Sequence, residues 1–173
     1  LENRTRIVDN IIAGIKQACG SSFSLALRLS PTRFGVQIEE IVAYYERLCA
    51  ACTLDFIDMS LWDVFQEVDE GTFQGERLVD IFARLERHET KLTVAGKINT
   101  GEDVKNVLDA GVDFVALGRA GILHHDWPQQ FAENKGFKSI QTPVSRAHLT
   151  AEGLGPKFVD YMSTWAGFVE QGA

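Results

Sequence analysis

Two glycine–cation dipeptides, Gly96-Lys97 and Gly118-Arg119, are the strongest candidates for chemistry in this sequence. Each follows a short apolar segment that is typical of a buried strand. A glycine lets the backbone approach an anion closely, and the amide groups at the start of a following helix favour negative charge. Lys97 or Arg119 can then neutralise that charge, so the two dipeptides together predict a phosphate-binding site. The alternative is that both glycines only form tight turns and both cations face water.

Arg28 is a third candidate, because it lies within the otherwise apolar segment Phe23–Ser30. An unpaired guanidinium in a buried strand is strongly unfavourable, so a partner is expected. Two roles remain open at this point. Arg28 either forms an ion pair with Asp58 of the neighbouring strand or holds an anion or an electron-rich ring at the strand end.

The remaining reactive side chains indicate no metal site and no catalytic nucleophile. Cys49 and Cys52 form a CxxC that lacks a second ligand pair, and Cys19 makes the number of cysteines odd. We interpret Cys49 and Cys52 as small core-facing residues in a reducing compartment. The four histidines are expected to be solvated or to cap helices, since a histidine without a ligand pattern rarely marks a site; they are His88, His124, His125 and His148.

The elements that must position these residues alternate between strand and helix. Apolar patterns predict strands over residues 23–30, 54–60, 91–95 and 113–117, with amphipathic helices between them. Thr100–Asp103 is typical of a helix N-terminal capping box. Four βα units with apolar strands indicate an α/β fold with a parallel sheet. Either a small doubly wound sheet or half of an eight-stranded barrel fits, since a whole barrel takes about 250 residues.

Composition narrows the class of protein further. The chain has 173 residues, of which 45% are hydrophobic, and a net charge of −7. That charge argues against nucleic acid or an anionic membrane surface as a partner. Since no apolar segment approaches the length of a membrane span, we expect a cytoplasmic protein. Leu1 opens directly onto the polar start of a helix, which suggests a piece of something longer.

Four segments resemble one known family in order and spacing. They are Leu1-Glu2-Asn3-Arg4-Thr5-Arg6, Ala26-Leu27-Arg28-Leu29-Ser30, Val94-Ala95-Gly96-Lys97-Ile98 and Val115-Ala116-Leu117-Gly118-Arg119-Ala120. The first resembles the ENRxR stretch, and the second the VRLS strand, of the old yellow enzyme, or NADH:flavin oxidoreductase, family. The last two resemble the seventh and eighth barrel strands of that family. The resemblance covers nearly the whole chain.

This resemblance implies strands five to eight of an FMN-binding (β/α)8 barrel over residues 1–141, with 142–173 as an extension on the barrel exterior. Arg28 would lie against the pyrimidine end of the flavin, and Gly96, Lys97, Gly118 and Arg119 would hold its phosphate. Lys97 departs from the uncharged residue expected in many relatives. The implied activity is reduction of activated alkenes or enoyl-type substrates, with NAD(P)H as the reductant.

The resemblance also implies that this chain alone is inactive. The family's substrate-binding and protonating residues come from the fourth strand, upstream of Leu1, so no catalytic residue is expected here. The chain is then expected to pair with the missing half-barrel or with another copy, because a half-barrel exposes two strand edges. Two alternatives stay open: a phosphate-binding barrel enzyme without flavin, and a non-catalytic half-barrel that serves as an assembly module.

Overall fold

The computed structural model describes residues 2–31 and 35–171. Its strands are β1 (Ala26–Leu29), β2 (Phe56–Ser60), β3 (Lys91–Ala95) and β4 (Phe114–Ala116). Its helices are α1 (Glu2–Cys19), α2 (Ile38–Ala50), α3 (Leu78–Ala83), α4 (Gly101–Asp109), α5 (Arg119–Leu123), α6 (Trp127–Glu133), α7 (Arg146–Ala151) and α8 (Pro156–Ser163). The chain divides into a first unit, residues 1–96 and 107–116, and a second unit, residues 97–106 and 117–173.

The strands of the first unit form one parallel sheet in the order β1-β2-β3-β4. The register places Arg28 beside Asp58, Asp58 beside Thr93, and Thr93 beside Phe114. Parallel neighbours cannot be joined by a hairpin, and the helices α2, α3 and α4 separate the strands along the chain. The predicted alternation of four strands with helices is therefore confirmed.

The two faces of this sheet differ in character. Since successive side chains on a strand point to opposite faces, each strand contributes to both. One face carries fully buried side chains, namely Ile57, Met59, Leu92 and Val94. These belong to a core that includes Tyr45 of α2 and Phe82 of α3, whose rings meet edge to face at 5.7 Å. The opposite face is partly open, because Arg28 and Phe114 are exposed.

The second unit has an apolar cluster of its own. Its buried members are Leu123, Val144, Leu149, Val159, Met162, Phe168 and Val169. The backbone of Val144 pairs with that of Val169, and Ser145 caps α7 by accepting a hydrogen bond from the His148 amide at 3.1 Å. The predicted capping box of α4 is confirmed: Thr100 Oγ1 accepts from the Asp103 amide at 3.0 Å, and Asp103 Oδ2 accepts from the Thr100 amide at 2.9 Å.

The structure departs from the sequence predictions in several details. The strand predicted over 23–30 is confined to β1, and residues 119–123 form the helix α5, which the sequence patterns do not predict. Of the two CxxC cysteines, Cys49 is buried as expected, whereas Cys52 is exposed. That part of the prediction was wrong because Cys52 lies beyond the end of α2. In the described part of the chain, every helix is too short or too polar to cross a membrane.

Candidate functional site

Gly96 lies against the backbone of the first unit. A Cβ at this position would lie 2.7 Å from the Trp62 carbonyl carbon and 2.9 Å from the Asp63 amide nitrogen, and φ is +153°. Hydrogen bonds fix the same approach, since the Val64 amide donates to the Gly96 carbonyl at 3.2 Å and the Leu61 amide donates to the Ala95 carbonyl at 2.8 Å. A side chain is therefore excluded here by the protein's own backbone.

Gly118 has a different environment. Among the described residues, no atom outside its chain neighbours lies within 4 Å of the place where a Cβ would stand. The residue precedes α5, and its carbonyl accepts from the amides of Gly121 and Ile122. The space beside Gly118 is open, so a ligand could approach the backbone at this point.

Lys97 and Arg119 are brought together by one cavity of the second unit. The cavity has a volume of about 210 Å³, and its lining consists of Lys97, Asn99, Arg119, Leu123, Ile140, Gln141 and Thr142. Asn99 is fixed by donating from its side-chain amide to the Lys97 carbonyl at 2.8 Å. The lining therefore includes two cationic and three neutral polar residues, a composition that suits an anion.

Arg28 does not line this cavity and belongs to the first unit. Its guanidinium lies 3.2 Å from Asp58 Oδ2 and donates to Ser60 Oγ at 2.9 Å. The ion pair left open by the sequence is thus present, but the Arg28 side chain is 58% exposed, so it is not a buried pair. Burial raises the pKa of Asp58 above its ordinary value, and Arg28 offsets part of that rise. Asp58 Oδ1 is buried and, within the described residues, lacks a hydrogen-bond partner.

Two of the four histidines are half-buried and make specific hydrogen bonds, whereas the sequence predicted that all four would be solvated or would cap helices. His88 and His125 are exposed, as expected. His124 and His148 are half-buried, however, and their rings lie 5.9 Å apart. His124 accepts a hydrogen bond from the Ile140 amide, and His148 bonds to the Leu123 carbonyl. Both contacts join residues distant in sequence, and no local pattern marks them.

The exposed His125 forms an ion pair with Glu152, with Nδ1 and Oε2 2.8 Å apart. Glu152 raises the pKa of His125. His125, Asp126 and Glu152 bring one ligand atom each within 4.8 Å of one another, close enough to share a cation. The imidazole and the Glu152 carboxylate already bond to each other, and the pair links α7 to the turn before α6.

Asn99, Gln141 and Thr142 are cavity residues that sequence reasoning missed. Asn99 lies two residues after Lys97, so a search of the segment following each strand would have found it. Gln141 and Thr142 come from a polar segment with no periodic pattern. Their position depends on long-range contacts, such as the Ser139 amide donating to the Asn99 carbonyl at 2.9 Å.

Taken together, the fold and the cavity define a class: an α/β protein of consecutive βα units that carries a small cationic cavity. No protein-family model matches the chain. It is 24% identical over 141 residues, 80% of its length, to the Bacillus subtilis (strain 168) protein named "Probable NADH-dependent flavin oxidoreductase YqiG". Among solved structures it matches a morphinone reductase mutant in complex with tetrahydroNAD, with a TM-score of 0.56, 22% identity and 80% of the chain covered.

These similarities confirm the resemblance to the old yellow enzyme, or NADH:flavin oxidoreductase, family and the α/β fold of consecutive βα units. The match covers 37% of the Bacillus protein and 36% of the morphinone reductase chain. The chain thus spans little more than a third of the length of the relatives it matches.

Proposed function

We propose that this chain is the C-terminal, FMN-binding part of an NAD(P)H-dependent oxidoreductase that reduces activated alkenes or enoyl-type substrates. The observation that carries the proposal is the shared cavity of Lys97 and Arg119, the two cations that the sequence assigns to phosphate binding. The similarity to an NADH-dependent flavin oxidoreductase supports the flavin and favours NADH as reductant. When bound, FMN supplies the hydride-transfer chemistry.

The residues present fit the phosphate end of such a cofactor. A cavity of about 210 Å³ is smaller than the ~300–1,000 Å³ that pockets for whole cofactors occupy. We therefore assign it the phosphate group alone. Lys97 and Arg119 would neutralise the phosphate charge, and the open position at Gly118 would let the backbone approach it. Gly96 would contribute only through its backbone conformation, which positions the next residue, Lys97.

Arg28 is assigned to the flavin ring. Asp58 and Ser60 hold its guanidinium at the end of β1, while more than half of the side chain stays exposed and able to contact a ligand. A fixed cation at the pyrimidine end of a flavin stabilises negative charge on the reduced ring and raises the reduction potential. Because the cation is already oriented by two partners, it needs little reorganisation when charge develops.

The substrate-binding residues are proposed to lie in chain beyond this sequence, so these 173 residues by themselves should not turn over substrate. The partner would be the remaining part of the barrel, or a second copy of the chain. The small-molecule substrate follows from the proposed reaction. A cytoplasmic location is also proposed, and three free cysteines among the described residues support a reducing compartment.

A phosphate-binding barrel enzyme without flavin is the second candidate. The contacts of Arg28 favour it, because the guanidinium has partners in Asp58 and Ser60 and does not require a flavin ring to pair with. The two candidates differ in whether a flavin ring occupies the space beside the phosphate. A non-catalytic assembly module is a third candidate, and it predicts affinity for neither phosphate nor flavin.

The test is a titration of the purified chain with FMN and, in parallel, with riboflavin, which lacks the phosphate, followed by flavin fluorescence. We expect FMN to bind more tightly by roughly 10- to 100-fold, since hydrogen bonds to charged groups contribute about 1.5–3 kcal/mol. Arg119→Ala should remove most of that preference. Arg146→Ala is the matched control, because Arg146 is an exposed arginine of the second unit that pairs with Asp160 outside the cavity.

The outcomes separate the candidates. Equal affinity for FMN and riboflavin in the wild-type chain would contradict the assignment of the cavity to phosphate. Binding of inorganic phosphate that Arg119→Ala abolishes, with no added affinity for FMN, would favour the enzyme without flavin. Absence of binding to all three probes would favour the assembly module.

A further inference from the structure

His124 accepts a hydrogen bond from the backbone. Its Nε2 lies 2.9 Å from the amide nitrogen of Ile140, and an amide N–H can only donate. Nε2 must therefore carry no proton. A neutral His124 with its proton on Nδ1 is the one protonation state that this contact permits.

Nε2 of His148 differs from that of His124 because it must carry a proton. Its Nε2 lies 2.9 Å from the carbonyl oxygen of Leu123, and a carbonyl can only accept. Nε2 of His148 must therefore carry a proton. The two rings meet edge to face at 5.9 Å, and the Phe137 ring packs against His124 at 5.2 Å.

The backbone groups held by these two rings belong to residues that line the anion cavity. Ile140 and Leu123 are both part of its wall, together with Lys97 and Arg119. We propose that His124 and His148 are positioning residues for this cavity, His124 through an unprotonated Nε2 and His148 through a protonated Nε2, and that the cavity keeps its shape only while Nε2 of His124 carries no proton. The inference deepens the proposed function and rests on it, because it concerns how the same cavity is built and regulated.

Protonation of His124 would set an N–H against the Ile140 N–H and break the contact. The titratable groups that face His124 are His148 of α7, Glu152 at the end of α7, and Asp126 before α6. Burial lowers the pKa of His124, and His148 lowers it further, while Glu152 and Asp126 act in the opposite direction. The contact is thus kept at neutral pH and lost as the pH falls through this lowered pKa.

The first experiment reads the unliganded protein. Long-range ¹H–¹⁵N spectra of the imidazoles should show the Nδ1-protonated tautomer for His124 and a proton on Nε2 of His148. The amide resonance of Ile140 should shift with pH together with the His124 ring. A proton on Nε2 of His124 at neutral pH, or an Ile140 amide that ignores its titration, would overturn the proposal.

The second experiment uses variants and sulfate, a dianion that does not titrate between about pH 5 and 8, as the probe. His124→Phe should weaken sulfate binding roughly fivefold, the net worth of one hydrogen bond, and deprotect the Ile140 amide against hydrogen exchange. His124→Gln offers an acceptor at a similar reach and should restore both readouts. His88→Gln, a change at an exposed histidine, is the control and should alter neither.

Failure of this proposal is distinguishable from failure of the proposed function. If the wild-type chain binds neither sulfate nor FMN, the proposed function fails, while the tautomers and the exchange of the Ile140 amide still decide the role of His124. If sulfate binds equally to the wild type and to folded His124→Phe, the positioning role is refuted and the anion cavity stands. Should His124→Phe not fold, the spectra of the wild type and of His124→Gln decide whether His124 positions Ile140.

Discussion

Replacing Gly96 by alanine should destabilise the protein, whereas replacing Gly118 by alanine should leave its stability almost unchanged. Both glycines nevertheless precede a cation at the end of a strand. At Gly96 the new methyl group would lie 2.7 Å and 2.9 Å from backbone atoms of Trp62 and Asp63. Backbone cannot move aside as a flexible side chain does, and a φ of +153° is rarely adopted by a residue with a Cβ. At Gly118 the methyl group would enter open space.

The magnitude follows from these two strains. Holding alanine in a conformation that is essentially confined to glycine costs about 1–3 kcal/mol, and forcing a methyl group into a filled space costs about 1–3 kcal/mol more. Gly96→Ala should therefore lower the free energy of unfolding by roughly 2–6 kcal/mol. For a chain of this length each kcal/mol corresponds to about 2–4 °C, so the melting temperature should fall by roughly 5–20 °C. Gly118→Ala should stay within about 0.5 kcal/mol of the wild type.

Thermal and urea unfolding of both variants measure the stability effect, and an FMN titration measures binding. Gly118→Ala should unfold like the wild type but bind FMN more weakly, because the methyl group occupies the approach to the backbone. Gly121→Ala, also with free space around it, is a control for adding a methyl group nearby. Equal melting temperatures for Gly96→Ala and Gly118→Ala would refute the argument from close backbone contact.

Three further predictions concern charge and capping. Burial raises the pKa of Asp58, so its ionised form is disfavoured in the folded state. Asp58→Asn should therefore lower the free energy of unfolding less at about pH 7 than at about pH 4, as measured by urea unfolding at each pH. The pKa of His125 is raised and that of Glu152 is lowered by their pairing. The attraction between charged His125 and charged Glu152 therefore stabilises the fold from about pH 4.5 to 6.5. His125→Ala should lower the free energy of unfolding in that pH range and change it little at about pH 8. Thr100→Ala removes the cap of α4 and should lower the free energy of unfolding by about 1 kcal/mol, with no loss at α7, as read by hydrogen exchange.

The fold was predictable from the sequence to the extent that it depends on local pattern. The apolar run Lys91–Ala95 is a strand with the predicted bounds, and the Thr100–Asp103 signal marks the start of α4. Helices shorter than two turns carry too few periodic residues to be recognised, which is why α5 was not predicted. The boundaries of β1 were too wide because alternation continues beyond the hydrogen-bonded ladder.

The candidate site was predictable only in its charged residues. Lys97 and Arg119 were found because each follows a strand, and the ends of adjacent parallel strands lie at the same edge of a sheet. Why position 96 requires glycine could not be deduced from the sequence. A glycine is needed equally where an anion lies close to the backbone and where another backbone segment does. Gln141 was missed, and His124 was expected to be solvated or to cap a helix, because their contacts join segments that no local pattern relates.

The structure also separates the two architectures that the sequence left open. A doubly wound sheet reverses its strand order at a switch point and is covered by helices on both faces, so both faces are apolar. Here the order β1-β2-β3-β4 runs without reversal. One face is buried and aliphatic, while the other presents Arg28, Asp58 and Ser60. Sequential strand order is what part of a barrel wall requires, and polar side chains at the carboxyl end of its inner face are expected where a barrel meets its ligand. The ion pair of Arg28 with Asp58 is then a device that keeps a cation oriented on the face where the proposed flavin ring would lie.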